Sequence, residues 1–172
     1  SLWQRRQGCR LLSGSILALD QGTTSSRAIL FSEDFEPGPI ALIELPQSYP
    51  QPGWVEHDPV RIWQDQLKVA KQAMDGKRDV RGIGITNQRA STIVWRRSTG
   101  RPIGPALGWQ DLRTIGECFA AREHDLFLAP NQSATKAQWL LNTFEPSRSR
   151  RVYVGTVDTW IAWHLSRGEA HI

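Results

Sequence analysis

The sequence predicts an α/β protein built on a mixed sheet flanked by helices. Two observations carry the prediction. The short apolar runs Ile16–Leu19 and Ala28–Phe31, joined by a glycine- and hydroxyl-rich turn, read as an antiparallel hairpin. Further on, an amphipathic stretch leads into the apolar run Val80–Thr86, and a strand reached through a helix lies parallel to a neighbour.

Each element has its own signal. Ile40–Leu45 reads as a third strand after the turn Pro37-Gly38-Pro39, completing a meander that needs a covering helix. The helix runs from about Val60 to Met74, with Asp58 as N-cap and Pro59 at its first position. Trp63, Leu67, Ala70 and Met74 form its expected apolar face, and Asp75-Gly76-Lys77 stops it. Gly82 and Gly84 in the next strand suggest a buried strand with close backbone approach. Ser91–Trp95 is a further strand, Arg96–Gly100 a turn and Pro102–Trp109 a returning extended segment. A helix over about Leu112–Arg122 is expected to bury Leu112, Ile115 and Phe119. Another over about Ala134–Phe144, capped by Ser133, is expected to bury Ala137, Leu140, Leu141 and Phe144. Arg151–Val154 reads as a short strand, and Thr159–Ser166 as a helix capped by Asp158. Gly168–Ile172 looks like a turn entering a strand, so the fold is expected to be incomplete, the front of a longer protein.

Composition narrows the function. With 172 residues, 40% hydrophobic and 22% charged, the chain is globular in character and long enough for a sizeable core. Eight tryptophans are expected in the core or in pocket walls. The net charge is +4, but no helix carries a basic stripe with interleaved aromatics, which argues against nucleic acid as a partner. Cys9 and Cys118 lack metal-ligand spacing and suggest no disulfide framework, so a reducing, cytoplasmic setting is expected. No apolar run approaches the roughly 20 residues of a membrane span, and no membrane partner is expected. Residues 1–15 are read as a disordered leader, with the domain proper over 16–172.

The chemistry centres on the hairpin turn. Asp20 ends the first strand, and Gly22 permits a bend. Thr23, Thr24 and Ser25 gather hydroxyls and backbone N–H groups around one point, with Arg27 as a fixed positive charge. Such a loop suits an anion rich in oxygens, such as a polyphosphate, and Asp20 suits the hydrated Mg²⁺ that travels with it. A polar hairpin turn with a solvating carboxylate fits these residues equally well.

Asp20-Gln21-Gly22-Thr23-Thr24-Ser25-Ser26-Arg27 closely resembles the first phosphate-binding hairpin of glycerol kinases, in the FGGY carbohydrate-kinase family. Further blocks resemble that family in order: Tyr49–Pro59, Gly82–Arg89, Trp109-Gln110-Asp111 with Arg113, and Gly155–Trp160. The resemblance implies the first domain of the actin-like (ribonuclease H-like) ATPase fold, and ATP and Mg²⁺ as cofactors. It further implies a polyol or sugar as small-molecule substrate, phosphorylated at a primary hydroxyl, and allows a homo-oligomer in the full-length protein. Thr23, Thr24, Ser25 and Arg27 would contact the nucleotide phosphates, Asp20 the metal, Arg89 the substrate hydroxyls, and Trp109 the carbon chain. The catalytic Asp of the family would lie beyond residue 172, so the 172 residues alone are expected to be inactive.

Two positions depart from the pattern. Glycerol kinases usually carry Glu after the pocket Arg, where this chain has Ala90; their pocket Tyr aligns with Asn131. Losing two hydroxyl-bonding groups should change specificity. Asn131 and Gln132 would then supply replacement hydrogen bonds. The same departures motivate a second hypothesis, a non-catalytic or regulatory relative that keeps the fold. Asp111 is open to two readings, a substrate contact or a helix cap, and His57 reads as a loop hydrogen-bonder.

Overall fold

The computed structural model describes residues 14–77, 79–146 and 151–171. Cys9, and most of the expected leader, lie outside the described residues. Ser15 does not belong to a leader, because it opens the first strand and pairs with Val80. In chain order the elements are β1 (Ser15–Gln21), β2 (Ser25–Phe31), β3 (Pro37–Glu44), β4 (Glu56–His57), α1 (Pro59–Met74), β5 (Val80–Asn87), β6 (Thr92–Arg96), β7 (Ala106–Leu107), α2 (Ile115–Arg122), α3 (Ser133–Phe144), β8 (Val152–Thr156) and α4 (Val157–Leu165).

Two four-stranded sheets form, where the sequence suggested one. The first has the order β3-β2-β1-β5 and the second β4-β7-β6-β8. The first is mixed, as expected: β1 is antiparallel to β2 and parallel to β5. The Pro37-Gly38-Pro39 segment is the start of β3 rather than a turn, since Pro37 pairs with Phe31 across the hairpin.

α1 packs on β1, β2 and β3, while α4 packs on β5, β6, β8 and α1. One core therefore joins both sheets, running from Leu17, Leu19, Ala28 and Leu30 through Ile62 and Val69 to Trp95, Trp160 and Ile161. Trp95 is its centre, fully buried with its ring 5.2 Å from that of Trp160 and edge-on to it. Gly100 completes this packing. Its φ of +65° favours glycine, and a Cβ there would lie 2.4 Å from the Trp163 ring.

Several expected faces are rotated. α1 buries Ile62, Gln66, Val69, Ala70 and Ala73, and Trp63 and Met74 only flank that stripe. The stripe turns because Gln66 is drawn inward to donate to the Arg27 carbonyl at 3.0 Å. α2 starts at Ile115 and buries Cys118, leaving Leu112, Ile115 and Phe119 exposed. α3 buries Thr135, Lys136 and Leu140, while Phe144 is exposed; its N-cap is Gln132, not Ser133. β5 has open space beside Gly82 and Gly84, so no backbone approaches them closely. α4 begins at Val157 with Thr156 as its N-cap, which puts Asp158 inside the first turn.

Candidate functional site

β1 and β5 are parallel neighbours, so their carboxyl ends meet, and Gln88 N donates to the Gln21 carbonyl at 2.8 Å. Beyond such ends a sheet has no further backbone to fill space, and ligands collect there. A cavity of about 610 Å³ opens at this point, lined by Asn87, Gln88, Arg89, Ala90, Trp109, Asn131 and Gln132. Arg89, Trp109 and Asn131, far apart in sequence, thus share one wall.

A relay of side chains holds the wall together. Ser91 Oγ donates to Gln88 Oε1 at 3.1 Å and accepts from the Trp109 backbone N–H at 3.0 Å. The Trp109 indole N–H then donates to Thr23 Oγ1 at 3.2 Å. This bond links the cavity to the hairpin turn. Ala90 adopts the left-handed region at φ +62°, a conformation that costs a non-glycine residue of order 1 kcal/mol. Hydroxyls of Thr92 and Ser133 both donate to its carbonyl and fix it there.

The hairpin itself divides. Thr23 faces Trp109, whereas Thr24 and Ser25 line a separate hollow beside Leu42–Pro46 and Arg61. The hydroxyls therefore do not converge on one point. Gly22 does not take a positive φ; a Cβ there would make a tight 3.3 Å contact with the Ser25 carbonyl, to which its own N–H donates. Asp20 and Arg27 are cross-strand partners with Oδ2 and Nη1 3.8 Å apart, both about two-fifths exposed. The carboxylate keeps open oxygen sites, and no group of three or more His, Cys, Asp or Glu able to hold a metal occurs among the described residues. A single carboxylate can hold Mg²⁺ only where water and phosphate oxygens supply most of its ligands.

Other acidic and basic groups prove structural. Asp111 is fully buried and accepts from Val55 N at 2.7 Å and from Arg113 N, Nε and Nη2. It neither faces the cavity nor caps α2, whose N-cap is Thr114. Arg113 stacks between Trp54 and Trp139, 3.7 and 4.5 Å from their ring centres. Asp158 accepts from Asn87 Nδ2 at 2.6 Å and from Thr156 Oγ1, tying the end of β5 to α4. His57 forms no loop hydrogen bond: it is 2% exposed in β4, both ring nitrogens lack partners, and burial pushes its pKa down to about 4.

Three residues were not singled out from the sequence. Gln88 is a buried residue of the cavity lining, and its Nε2 is sealed from solvent without a partner. Buried Gln21 donates to the Gly22 and Ser25 carbonyls and accepts from Ser26 Oγ, shaping the hairpin from inside. Lys136 is fully buried, and its ammonium donates to the Pro130 and Gln132 carbonyls at 2.6 and 3.3 Å, fixing the segment that carries Asn131. Burial pushes its pKa down to about 8, against the raising influence of Asp111 and Cys118. A lysine one turn before Leu140 on the same helical face was the available signal for it.

Known proteins resemble this chain in sequence and fold. The model of the FGGY family of carbohydrate kinases, N-terminal domain, matches residues 15–171. The glycerol kinase of Thermus brockianus is 47% identical over 174 residues, covering 91% of this chain and 35% of that protein. The glycerol kinase of Ralstonia nicotianae is 43% identical over 175 residues, with the same coverage. Plasmodium falciparum glycerol kinase with ADP superposes with a TM-score of 0.82 at 27% identity, over 91% of this chain and 35% of that one. Xylulose kinase from Rhodospirillum rubrum, at 22% identity and a TM-score of 0.73 over 87% of this chain and 33% of that one, is alike in fold alone. The chain spans about 35% of the length of the curated relatives it matches.

Proposed function

The chain belongs to the FGGY family of carbohydrate kinases, and from that membership we propose that it supplies the N-terminal domain, about residues 16–172, of an ATP-dependent kinase acting on a small polyol or sugar. Its fold is the first domain of the actin-like ATPase fold. In the proposed reaction a primary hydroxyl oxygen of the substrate bonds to the γ-phosphorus of ATP. The bond from that phosphorus to the β–γ bridging oxygen breaks, ADP leaves and the hydroxyl proton is released.

One observation carries the reading. The carboxyl ends of β1 and β5 bring Arg89, Trp109 and Asn131 to one cavity, and the Trp109–Thr23 hydrogen bond joins that cavity to the hydroxyl-rich hairpin. Phosphoryl transfer is mostly positioning and charge stabilisation, so a hydroxyl held beside a phosphate loop is the required geometry. In this reading Thr23 and Arg27 hold the nucleotide phosphates, while the Thr24 and Ser25 hydroxyls, which face a separate hollow, take no part; Arg89 and Asn131 orient the substrate, and Trp109 covers its carbon chain. Asp20 is the residue suited to hold Mg²⁺, which supplies positive charge to the phosphoryl oxygens. No helix among the described residues is long and apolar enough to cross a membrane, and we place the enzyme in the cytoplasm.

Steady-state kinetics on the full-length protein test the assignment. Arg27→Ala should raise KM for ATP about tenfold and leave KM for the polyol within about twofold; Arg89→Gln should do the converse. Equal effects of both variants on both substrates would contradict the division of roles. Ala90 and Asn131 favour a second reading, a non-catalytic relative. Absence of ADP release with every polyol, sugar and hydroxy acid tried would favour that reading.

A further inference from the structure

A cavity that holds a polyol needs acceptors as well as donors, because each hydroxyl has a proton to give and lone pairs to share. Arg89 supplies donors alone. No carboxylate lines the cavity, and the side-chain oxygens of Gln88 and Gln132 are taken by Ser91 Oγ and the Ala129 N–H. Among the lining side chains, the acceptors left open are the amide oxygens of Asn87 and Asn131. No hydrogen bond among the described residues sets the orientation of the Asn131 amide. Asn87 is different. It ends β5, and its Nδ2 donates to Asp158 Oδ1 at 2.6 Å. The same Asp158 oxygen accepts from the Thr156 hydroxyl, so the carboxylate is itself held in place.

A carboxylate accepts and does not donate, so the reversed amide would set oxygen against oxygen. The Asn87 nitrogen is therefore committed to Asp158, which lies outside the lining, and its Oδ1 has no partner among the described residues. That oxygen is open to solvent, unlike the sealed Gln88 Nε2. Backbone pairing of β5 with β1 carries on to Gln88, whose N–H donates to the Gln21 carbonyl. Side chains two apart along such a backbone share a side, which sets Asn87 beside Arg89 and turns buried Gln88 the other way. Resting on the kinase reading above, we propose that Asn87 is a further substrate-binding residue: its Oδ1 accepts a hydrogen bond from a substrate hydroxyl whose oxygen accepts from Arg89, and Asp158 is the positioning residue that keeps Oδ1 turned to the cavity. A chain lacking that hydroxyl leaves both groups unpaired, so the site selects for it.

Calorimetric titration of the full-length protein with glycerol, 1,2-propanediol and 1,3-propanediol tests this, since each diol lacks one glycerol hydroxyl. Glycerol should bind at least about tenfold more tightly than one of the diols. Asn87→Leu should bring that ratio to within about twofold and leave ATP affinity within about twofold. Asp158→Asn, which frees the amide to turn over, should lower the ratio likewise. The reciprocal pair, Asn87→Asp with Asp158→Asn, returns an acceptor to the cavity and should restore it. A purely structural tie between β5 and α4 would move the urea midpoint and leave the ratio alone. No glycerol binding, no preference over either diol, or a preference that survives Asn87→Leu overturns the proposal. A ratio unmoved by Asp158→Asn, or not restored by the reciprocal pair, overturns the role of Asp158; these two variants decide the matter if Asn87→Leu does not fold. The kinase reading fails separately, on absence of substrate-dependent ADP release with any acceptor.

Discussion

His57 and Lys136 show why single residues resist reading from sequence. Both are polar side chains placed inside by the strands and helices around them; nothing near His57 in sequence announces it, and for Lys136 the one signal is its place a turn before Leu140. His57 stays neutral in the fold because burial lowers its pKa to about 4. The unfolded chain takes up a proton near pH 6.5, so the stability this residue permits is full above pH 6.5 and is lost as pH falls toward 4. The loss should reach about 3 kcal/mol, read from urea midpoints across that range, and His57→Leu should flatten it. Lys136 loses its proton near pH 8 in the fold, well below the value for a free lysine. Above pH 8 the unfolded chain holds a proton that the folded one has lost, so stability should rise between about pH 8 and 10.5. Lys136→Met should abolish that rise and, by stranding the Pro130 and Gln132 carbonyls, cost about 1–3 kcal/mol near pH 8. By contrast, the shared cavity of Arg89, Trp109 and Asn131 was legible: the first two stand in ordered blocks that resemble a family, and Asn131 aligns with that family's pocket Tyr. Asp111 and Asp158 stand in the same blocks, yet they support the wall from behind; proximity in sequence does not distinguish lining a cavity from bracing it.

At the level of elements, periodicity found the existence of nearly every strand and helix, and missed which face turns inward. α1 illustrates this. Its start was readable, since Asp58 Oδ1 accepts from Val60 N at 2.8 Å and Pro59 occupies the first position. Asp58→Ala should therefore cost about 1 kcal/mol in chemical denaturation. Its buried stripe was read one residue out of phase, because Gln66 counts as polar yet is fully buried on Arg27. Ile62, fully buried, is the better test of the stripe than Trp63: Ile62→Ala should cost about 2–5 kcal/mol and Trp63→Ala less than that. α2 was misread for a similar reason. Its apolar residues Ile115 and Phe119 remain exposed, and no periodicity argument can know what is absent opposite a helix face.

For the molecule as a whole, the mixed sheet followed from one pattern, an antiparallel hairpin and then a helix leading to a parallel strand. The second sheet did not, because β4 and β7 are two-residue strands defined by long-range pairing rather than by local sequence. The site was legible for a topological reason: the hairpin and the Arg89 segment both follow strands whose carboxyl ends the parallel pairing must bring together. The chain spans about 35% of its relatives' length, and the 172 residues by themselves are expected to give no ATP-dependent phosphorylation of glycerol. The central claim, that this domain serves a kinase with the hydroxyl acceptor held at Arg89 and Trp109, is tested most directly by substrate-dependent ADP release from the full-length protein. Small polyols, sugars and hydroxy acids would each be offered with MgATP. Release that requires both MgATP and one class of acceptor, and that falls in kcat/KM by about tenfold or more in Arg89→Gln, is the predicted result. ADP release that is indifferent to every acceptor, or unchanged by Arg89→Gln, would contradict it.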